Sequence, residues 1–251
     1  VPASGAIVYP AGDAAVATVL GMGMWSRGRP FTVDCAGGEW NARLSQPDGS
    51  AFVLGDSDDA CSVALEWQHK GRHNVSNALA AAALAETVGI PLERSGAALR
   101  DFRGVKRRLE LLGCIAGVSV YDDFAHHPTA IEVTLQGLRA AKVEGRIVAV
   151  IEPRSNTMRL GAHRERLPEC TRDADLVLWF QPPGVDWDLE SVARASATPS
   201  RVYQSTGAII DALVEALRPG DQVVIMSNGG FEGIHRRLLL ALESAVASRT
   251  G

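Results

Sequence analysis

After Gly104 the chain settles into a regular alternation of two patterns, and this alternation constrains the fold more tightly than any other feature. Short runs rich in apolar residues, at Leu109 to Leu112, Val118 to Tyr121, Ile147 to Ile151, Leu176 to Phe180 and Val223 to Met226, read as strands. Pro128 to Ala141, Gly207 to Leu217 and Ile234 to Ala247 instead repeat apolar residues at helical spacing. A run such as Ile147-Val148-Ala149-Val150-Ile151 has no polar face to turn to water, so both of its faces must be covered. The pattern predicts an α/β fold built on an open, mostly parallel sheet with helices on both sides. Ligands of such sheets sit beyond the carboxyl ends of the strands, which selects the loops to read.

The first 104 residues differ in character. A short strand at Ala6 to Tyr9 and a helix at Asp13 to Gly21 precede a β-rich stretch from Pro30 to Trp67, which reads as a small meander. Pro47-Asp48-Gly49-Ser50 supplies its turn, between Trp40 to Leu44 and Ala51 to Leu54. An Ala-rich helix from Val75 to Val88, stopped by Gly89 and Pro91, and a second helix at about Leu92 to Phe102 complete this part. With 251 residues, 46% of them hydrophobic and 22% charged, the chain is long enough for two modest domains, predicted as 1–104 and 105–251.

A formal net charge of -4 gives no electrostatic reason to expect nucleic acid, and points to small-molecule partners. Cys35, Cys61, Cys114 and Cys170 form no pair with metal-ligand spacing and read as reduced, mostly buried thiols. Ala78 to Ala85, the longest strongly apolar stretch, is too short to span a bilayer, and no signal peptide opens the chain. A cytoplasmic location without membrane attachment is expected. The start at Val1-Pro2, without an initiator Met, reads as a fragment of a longer product.

Three polar clusters directly follow strands: Asp122-Asp123-Phe124-Ala125-His126-His127-Pro128-Thr129, Glu152-Pro153-Arg154-Ser155-Asn156-Thr157, and Ser227-Asn228-Gly229-Gly230-Phe231. All three are predicted to share one edge of the sheet. A carboxylate at a strand end suits a ribose diol, although an N-cap is the simpler role for one Asp. Arg154 offers a planar fork to a carboxylate or phosphate, with neutral donors at Ser155, Asn156 and Thr157. Gly229-Gly230 lets backbone amides face an anion. In the first part, Asn74 and Asn77 stand three apart at a helix start, where an amide can pair with adenine or simply cap the helix. Lys106-Arg107-Arg108 is either a basic linker or a phosphate contact. Adjacent His126 and His127 have no second ligand set, so no metal site is predicted. A GxxxxGK[ST] phosphate loop is absent, and Gly21-Met22-Gly23-Met24-Trp25-Ser26 departs from GxGxxG at Ser26. The residues alone point to a nucleotide or anionic-metabolite site.

Taken in order, Gly71-Arg72-His73-Asn74-Val75-Ser76-Asn77-Ala78-Leu79-Ala80-Ala81, Gly104-Val105-Lys106-Arg107-Arg108-Leu109-Glu110 and Tyr121 through Thr129 resemble the Mur ligases. The Glu152 to Met158 and Ser227 to Phe231 loops resemble those family members that attach a ready-made tripeptide during peptidoglycan recycling. The resemblance implies the later part of a central ATPase domain followed by a Rossmann-like C-terminal domain. The UDP-sugar domain, the phosphate loop and the main magnesium ligands are expected upstream.

The implied reaction is ATP-dependent, with Mg2+, and joins UDP-N-acetylmuramate to L-alanyl-γ-D-glutamyl-meso-diaminopimelate through an acyl phosphate. By the same resemblance His73, Asn74 and Asn77 lie at the adenine, Asp122 and Asp123 at the ribose, and Arg108 near the phosphates. Arg154, Ser155, Asn156, Thr157, Ser227 and Asn228 are assigned to the tripeptide, and His126 and His127 to the amine or phosphoryl group. Gly104 to Arg108 is expected to act as a hinge. The fragment is expected to be monomeric and inactive alone. The alternatives are a ligase adding L-alanine to the same UDP-sugar, or a non-catalytic nucleotide-binding module.

Overall fold

A computed structural model describes residues 1–57, 61–141, 144–185 and 187–250, with side chains through Ser248. The chain divides into two compact units, Val1–Arg103 and Gly104–Gly251.

In the first unit five strands lie in the order β1 (Ala6–Pro10), β2 (Arg27–Val33), β3 (Trp40–Leu44), β4 (Ala51–Asp56) and β5 (Ser62–Glu66). Its helices are α1 (Ala14–Gly21), α2 (Arg72–Thr87) and α3 (Leu92–Arg100). The core is made by Phe31, Trp40, Phe52, Leu54 and Leu65 from the sheet with Val75, Leu79 and Ala83 from α2. The expected meander holds for β3 to β5, which pair antiparallel, but β2 runs parallel to β3. The connection at 34–39 brings the chain back to the start of its neighbour: Asp34 and Gly37 take positive φ, and the Glu39 amide donates to Pro30 O at 2.7 Å. Helix α2 also begins earlier than its apolar pattern suggests. Gly71, at φ 98°, stands at its N-cap and Arg72 opens it, so Asn74 sits inside the first turn rather than capping it.

The second unit carries the remaining elements: β6 (Glu110–Ile115), β7 (Val118–Asp123), α4 (Pro128–Ala140), β8 (Ile147–Ile151), α5 (Asn156–Arg159), α6 (Leu167–Cys170), β9 (Leu176–Phe180), α7 (Leu189–Ala195), β10 (Ser200–Tyr203), α8 (Thr206–Ala216), β11 (Gln222–Met226) and α9 (Ile234–Thr250). The sheet order is β10-β9-β8-β11-β7-β6, parallel throughout except for the β6–β7 hairpin. Side chains of successive strand residues point to opposite faces, and the two cores divide accordingly. Ile147, Ala149, Ile151, Val224 and Met226 face α4 and α7, whereas Val148, Val150, Val223 and Ile225 face α8 and α9. Every residue of β8 is fully buried, as its uninterrupted apolar run requires. Helix α7 and strand β10 were not anticipated from the sequence. Their apolar residues are few, and Leu189, Val192 and Val202 join a core already specified by the longer strands.

Cysteine burial departs from expectation. Cys170 alone of the four is buried, while Cys35 and Cys114 lie exposed on loop and edge-strand positions.

The amino ends of β8 and β11 are tied by a buried carboxylate. Asp221 accepts from the Arg146 guanidinium at 2.6 and 3.2 Å, and from the Arg146 and Arg218 amides at 3.1 and 2.9 Å. Burial opposes its ionisation, but these donors outweigh burial and hold the carboxyl below its ordinary range. Asp221→Ala strands four donors and is expected to destabilise the second unit by about 2 kcal/mol in urea unfolding. The wild-type contribution is full at neutral pH and fades only as pH falls below about 3.8. A variant within about 0.5 kcal/mol of wild type contradicts this role.

Candidate active site

Parallel pairing places Met226 level with both Asp123 and Ile151. The loops that follow β7, β8 and β11 therefore leave the sheet side by side at its carboxyl edge, where the three polar clusters were expected. The order of connection also reverses here: β11 lies between β7 and β8, and the helices that follow β7 and β11, α4 and α9, pack on opposite faces.

In the first loop the two aspartates have different surroundings. Asp123 is 3% exposed, and its oxygens accept from the Leu109 and Ala125 amides at 2.7 and 2.8 Å and from Thr134 Oγ1 at 3.4 Å. Burial pushes its carboxyl above the ordinary range against those donors and the charge of Arg108. This carboxyl shapes the loop, and its coordination leaves little room for a ligand. Asp122 faces Arg107 Nε at 3.1 Å on one side. On the other, His235 Nε2 of α9 lies 3.1 Å away, at ion-pair distance but outside hydrogen-bond alignment. Burial opposes ionisation of Asp122, and His235 and Arg107 together overcome it, holding the carboxyl below its ordinary range.

The two histidines also differ. His126 Nδ1 stands 2.8 Å from Phe124 O; a carbonyl can only accept, so Nδ1 carries a proton, and in the neutral ring Nε2 is the acceptor. His127 does the reverse. It is the N-cap of α4, and its Nδ1 accepts from the Thr129 amide at 3.3 Å. Its ring meets that of His163 edge to face at 4.5 Å, and Arg166 reaches Thr129 Oγ1 at 3.4 Å. Burial, then His163, Arg166 and His126, push its pKa below the ordinary value.

In the second loop Glu152 is buried and accepts a short hydrogen bond from the hydroxyl of Ser227. Ser155 Oγ reaches His126 O at 3.4 Å, joining the first two loops, while Arg154, Asn156 and Thr157 are exposed. In the third loop Ser227 is fully buried, and its Oγ also accepts from the Gly229 amide at 2.9 Å, so its hydrogen-bonding capacity is used within the fold. Asn228 keeps a buried Oδ1 with no partner among the described residues. Arg154 lies across Gly229, where a Cβ would fall 1.7 Å from its Nη1; the glycine is what allows the guanidinium to lie there.

The Lys106-Arg107-Arg108 cluster resolves into distinct parts. Arg108 is exposed, with its guanidinium 5.7 Å from the Phe124 ring. Arg107 turns inward onto Asp122 and the third loop, and its carbonyl accepts from the Phe124 amide at 2.7 Å. Residues from Arg107 onward are thus anchored in the second unit. In the first unit, Asn77 is exposed on α2, whereas Asn74 Nδ2 donates to Lys70 O at 2.7 Å and keeps its Oδ1 as acceptor. His73 is half-buried in the same first turn. Arg107, Glu152, His163 and His235 carry contacts that the sequence reading did not assign. The first two lay within flagged clusters; the histidines stood in helical or turn segments with no local signal.

Residues 107–229 match the family model described as Mur ligase, glutamate ligase domain. Over 242 residues, 95% of this chain, the sequence is 41% identical to the UDP-N-acetylmuramate--L-alanyl-gamma-D-glutamyl-meso-2,6-diaminoheptandioate ligase of Escherichia coli (strain K12). The chain belongs to the Mur ligase family. The crystal structure of a murein peptide ligase from Psychrobacter arcticus superimposes with a TM-score of 0.75 at 40% identity, covering 97% of this chain and 52% of that one. The UDP-N-acetylmuramate--L-alanine ligase of Pelotomaculum thermopropionicum is 38% identical, but over only 66% of this chain and 38% of its own length. This Mur ligase chain spans 52% of the Escherichia coli relative. Among the described residues no helix is long and apolar enough to cross a membrane, and no group of three or more His, Cys, Asp or Glu is placed to hold a metal ion.

The cap on α4 gives a pH test. His127 must be unprotonated to accept from Thr129, and its folded pKa lies below the ordinary 6.5. Its contribution is therefore complete above that value and is lost as pH falls through the folded pKa. Asn caps without titrating. Relative to His127→Asn, the wild type is expected to lose up to about 1 kcal/mol between pH 7 and pH 5 in denaturant melts. A difference that stays constant with pH contradicts the capping role.

Proposed function

We propose that this chain is the later part of an ATP-dependent ligase of peptidoglycan recycling. The ligase joins the carboxylate of UDP-N-acetylmuramate to the amine of L-alanyl-γ-D-glutamyl-meso-diaminopimelate. The observation that carries this reading is the convergence of Arg154, Asn156, Asn228, His126 and His127 on one sheet edge, where Glu152 and Asp123 are already committed to internal hydrogen bonds. An edge with its carboxylates occupied and its cations and amides presented suits a peptide bearing several carboxylates. Identity of 41% to a tripeptide-adding ligase, extending across 95% of this chain, supports that acceptor over free L-alanine.

In this reading residues 1–104 form the end of the ATPase domain and 105–251 the C-terminal domain. Asn74 and Asn77 serve the adenine with His73, Asp122 the ribose, and Arg108 the phosphates. Asp123 and Ser227 move from binding to positioning, because each accepts from a backbone amide of its own loop, whereas the described partners of Asp122 are the side chains of Arg107 and His235. Arg154 grips a tripeptide carboxylate with Ser155, Asn156, Thr157 and Asn228 alongside. ATP phosphorylates the muramoyl carboxylate, the tripeptide amine attacks the acyl phosphate, and phosphate leaves. His126 Nε2, the acceptor nitrogen, takes the proton that the amine loses. His127 holds the N-terminus of α4 in place beside it. Magnesium would assist phosphoryl transfer. We expect a cytoplasmic monomer, and no turnover by this segment alone.

The test is ATP-dependent ligation with phosphate release in the full-length reading frame, with tripeptide and L-alanine as competing acceptors. Arg154→Ala is expected to raise the tripeptide KM roughly 10-fold to 100-fold while leaving that for ATP within about threefold. Gly229→Ala displaces the same guanidinium and is expected to reproduce this effect with little loss of stability. Equal effects on both substrates contradict the assignment of Arg154. Preference for L-alanine, or no ligation at all, overturns the functional reading in favour of the biosynthetic ligase or a nucleotide-binding module.

A further inference from the structure

Arg107 bridges two of the three loops. Its Nε lies 3.1 Å from Asp122 Oδ2, while its Nη2 donates to Ser227 O at 2.6 Å and to Gly229 O at 2.8 Å. The guanidinium lies 5.2 Å from the centre of the Phe124 ring. Its backbone is fixed as firmly. It adopts φ 61°, donates from its amide to Glu110 Oε2 at 2.8 Å and accepts from the Phe124 amide at 2.7 Å. The two carbonyls it holds flank Asn228, whose buried Oδ1 has no partner among the described residues, and the second belongs to the glycine beneath Arg154. One planar cation thus fixes both the carboxylate assigned to the ribose and the turn assigned to the tripeptide.

We propose that Arg107 is a positioning residue that couples the nucleotide half-site to the peptide half-site, so that occupancy of one raises affinity in the other. This rests on the functional reading above. A nucleotide that engages Asp122 changes the charge balance at Arg107 Nε. The same rigid fork transmits the adjustment to the carbonyls of Ser227 and Gly229, because its donors are fixed in one plane. Lysine preserves the charge, but a single ammonium cannot hold the carboxylate and both carbonyls in that geometry. Coupling between two ligands is reciprocal, so it can be read from either side.

The experiment uses the full-length ligase. Tripeptide affinity is measured by calorimetry with and without a saturating non-hydrolysable ATP analogue, and analogue affinity with and without tripeptide. Wild type is expected to bind the second ligand at least about fivefold more tightly than the first-ligand-free enzyme, by the same factor in both directions. In Arg107→Lys that factor is expected to fall below about twofold. A second measurement needs no variant: analogue alone is expected to slow amide exchange at residues 228–230 of the wild type. Undiminished coupling in a folded Arg107→Lys, or unchanged exchange at 228–230, overturns the coupling role while ligation by wild type leaves the functional reading intact. A wild type that does not ligate tripeptide overturns both.

Discussion

The second unit depends on burying β8 and β11 on both faces. Their apolar side chains cannot be satisfied by one layer, so helices must cross over each side, and crossovers of that kind require parallel strands. Parallel strands in turn deliver their following loops to one edge. The chemistry of the site is thus a consequence of hydrophobic burial several residues away: Ile151 and Met226 are fully buried, and the next residues, Glu152 and Ser227, hydrogen-bond to each other across the loop bases.

Electrostatics then divides labour among polar groups that look alike in sequence. Asp123, Asp221 and Glu152 are buried and spend their oxygens on amides, a guanidinium or a hydroxyl. Each would be costly to leave unpaired, and each makes a loop or strand end rigid. Among the residues exposed beside them are the cationic Arg154 and Arg108 and the neutral Asn156. That arrangement suits acidic small molecules and reactions that build negative charge in the transition state.

Much of this was legible before any coordinates. Uninterrupted apolar runs alternating with segments of helical period identify the parallel sheet and its main helices, and the loops after its strands hold the polar clusters at one edge. What was not legible depended on three-dimensional neighbours. Adjacent aspartates carry no mark that one is enclosed by backbone amides and the other paired with Arg107 and His235. Arg108 drew attention through the family resemblance, while the contacts of Arg107 span more than a hundred residues of chain and leave no local pattern. The parallel pairing of β2 with β3 depends on the positive-φ turn at Asp34 and Gly37, which a strand count does not reveal. Likewise, Cys35 and Cys114 lie exposed because of where their segments pack, which residue type alone does not determine.

The central claim is that the three strand-end loops form one binding surface for the acidic tripeptide. The direct measurement is an isotope-labelled titration of this chain with L-alanyl-γ-D-glutamyl-meso-diaminopimelate, followed residue by residue by NMR. Saturable shifts concentrated at 124–129, 154–158 and 227–231 are expected, with 72–87 of α2 unaffected by the peptide alone. Saturable shifts centred elsewhere, or confined to one loop while the other two stay silent, would contradict a shared site.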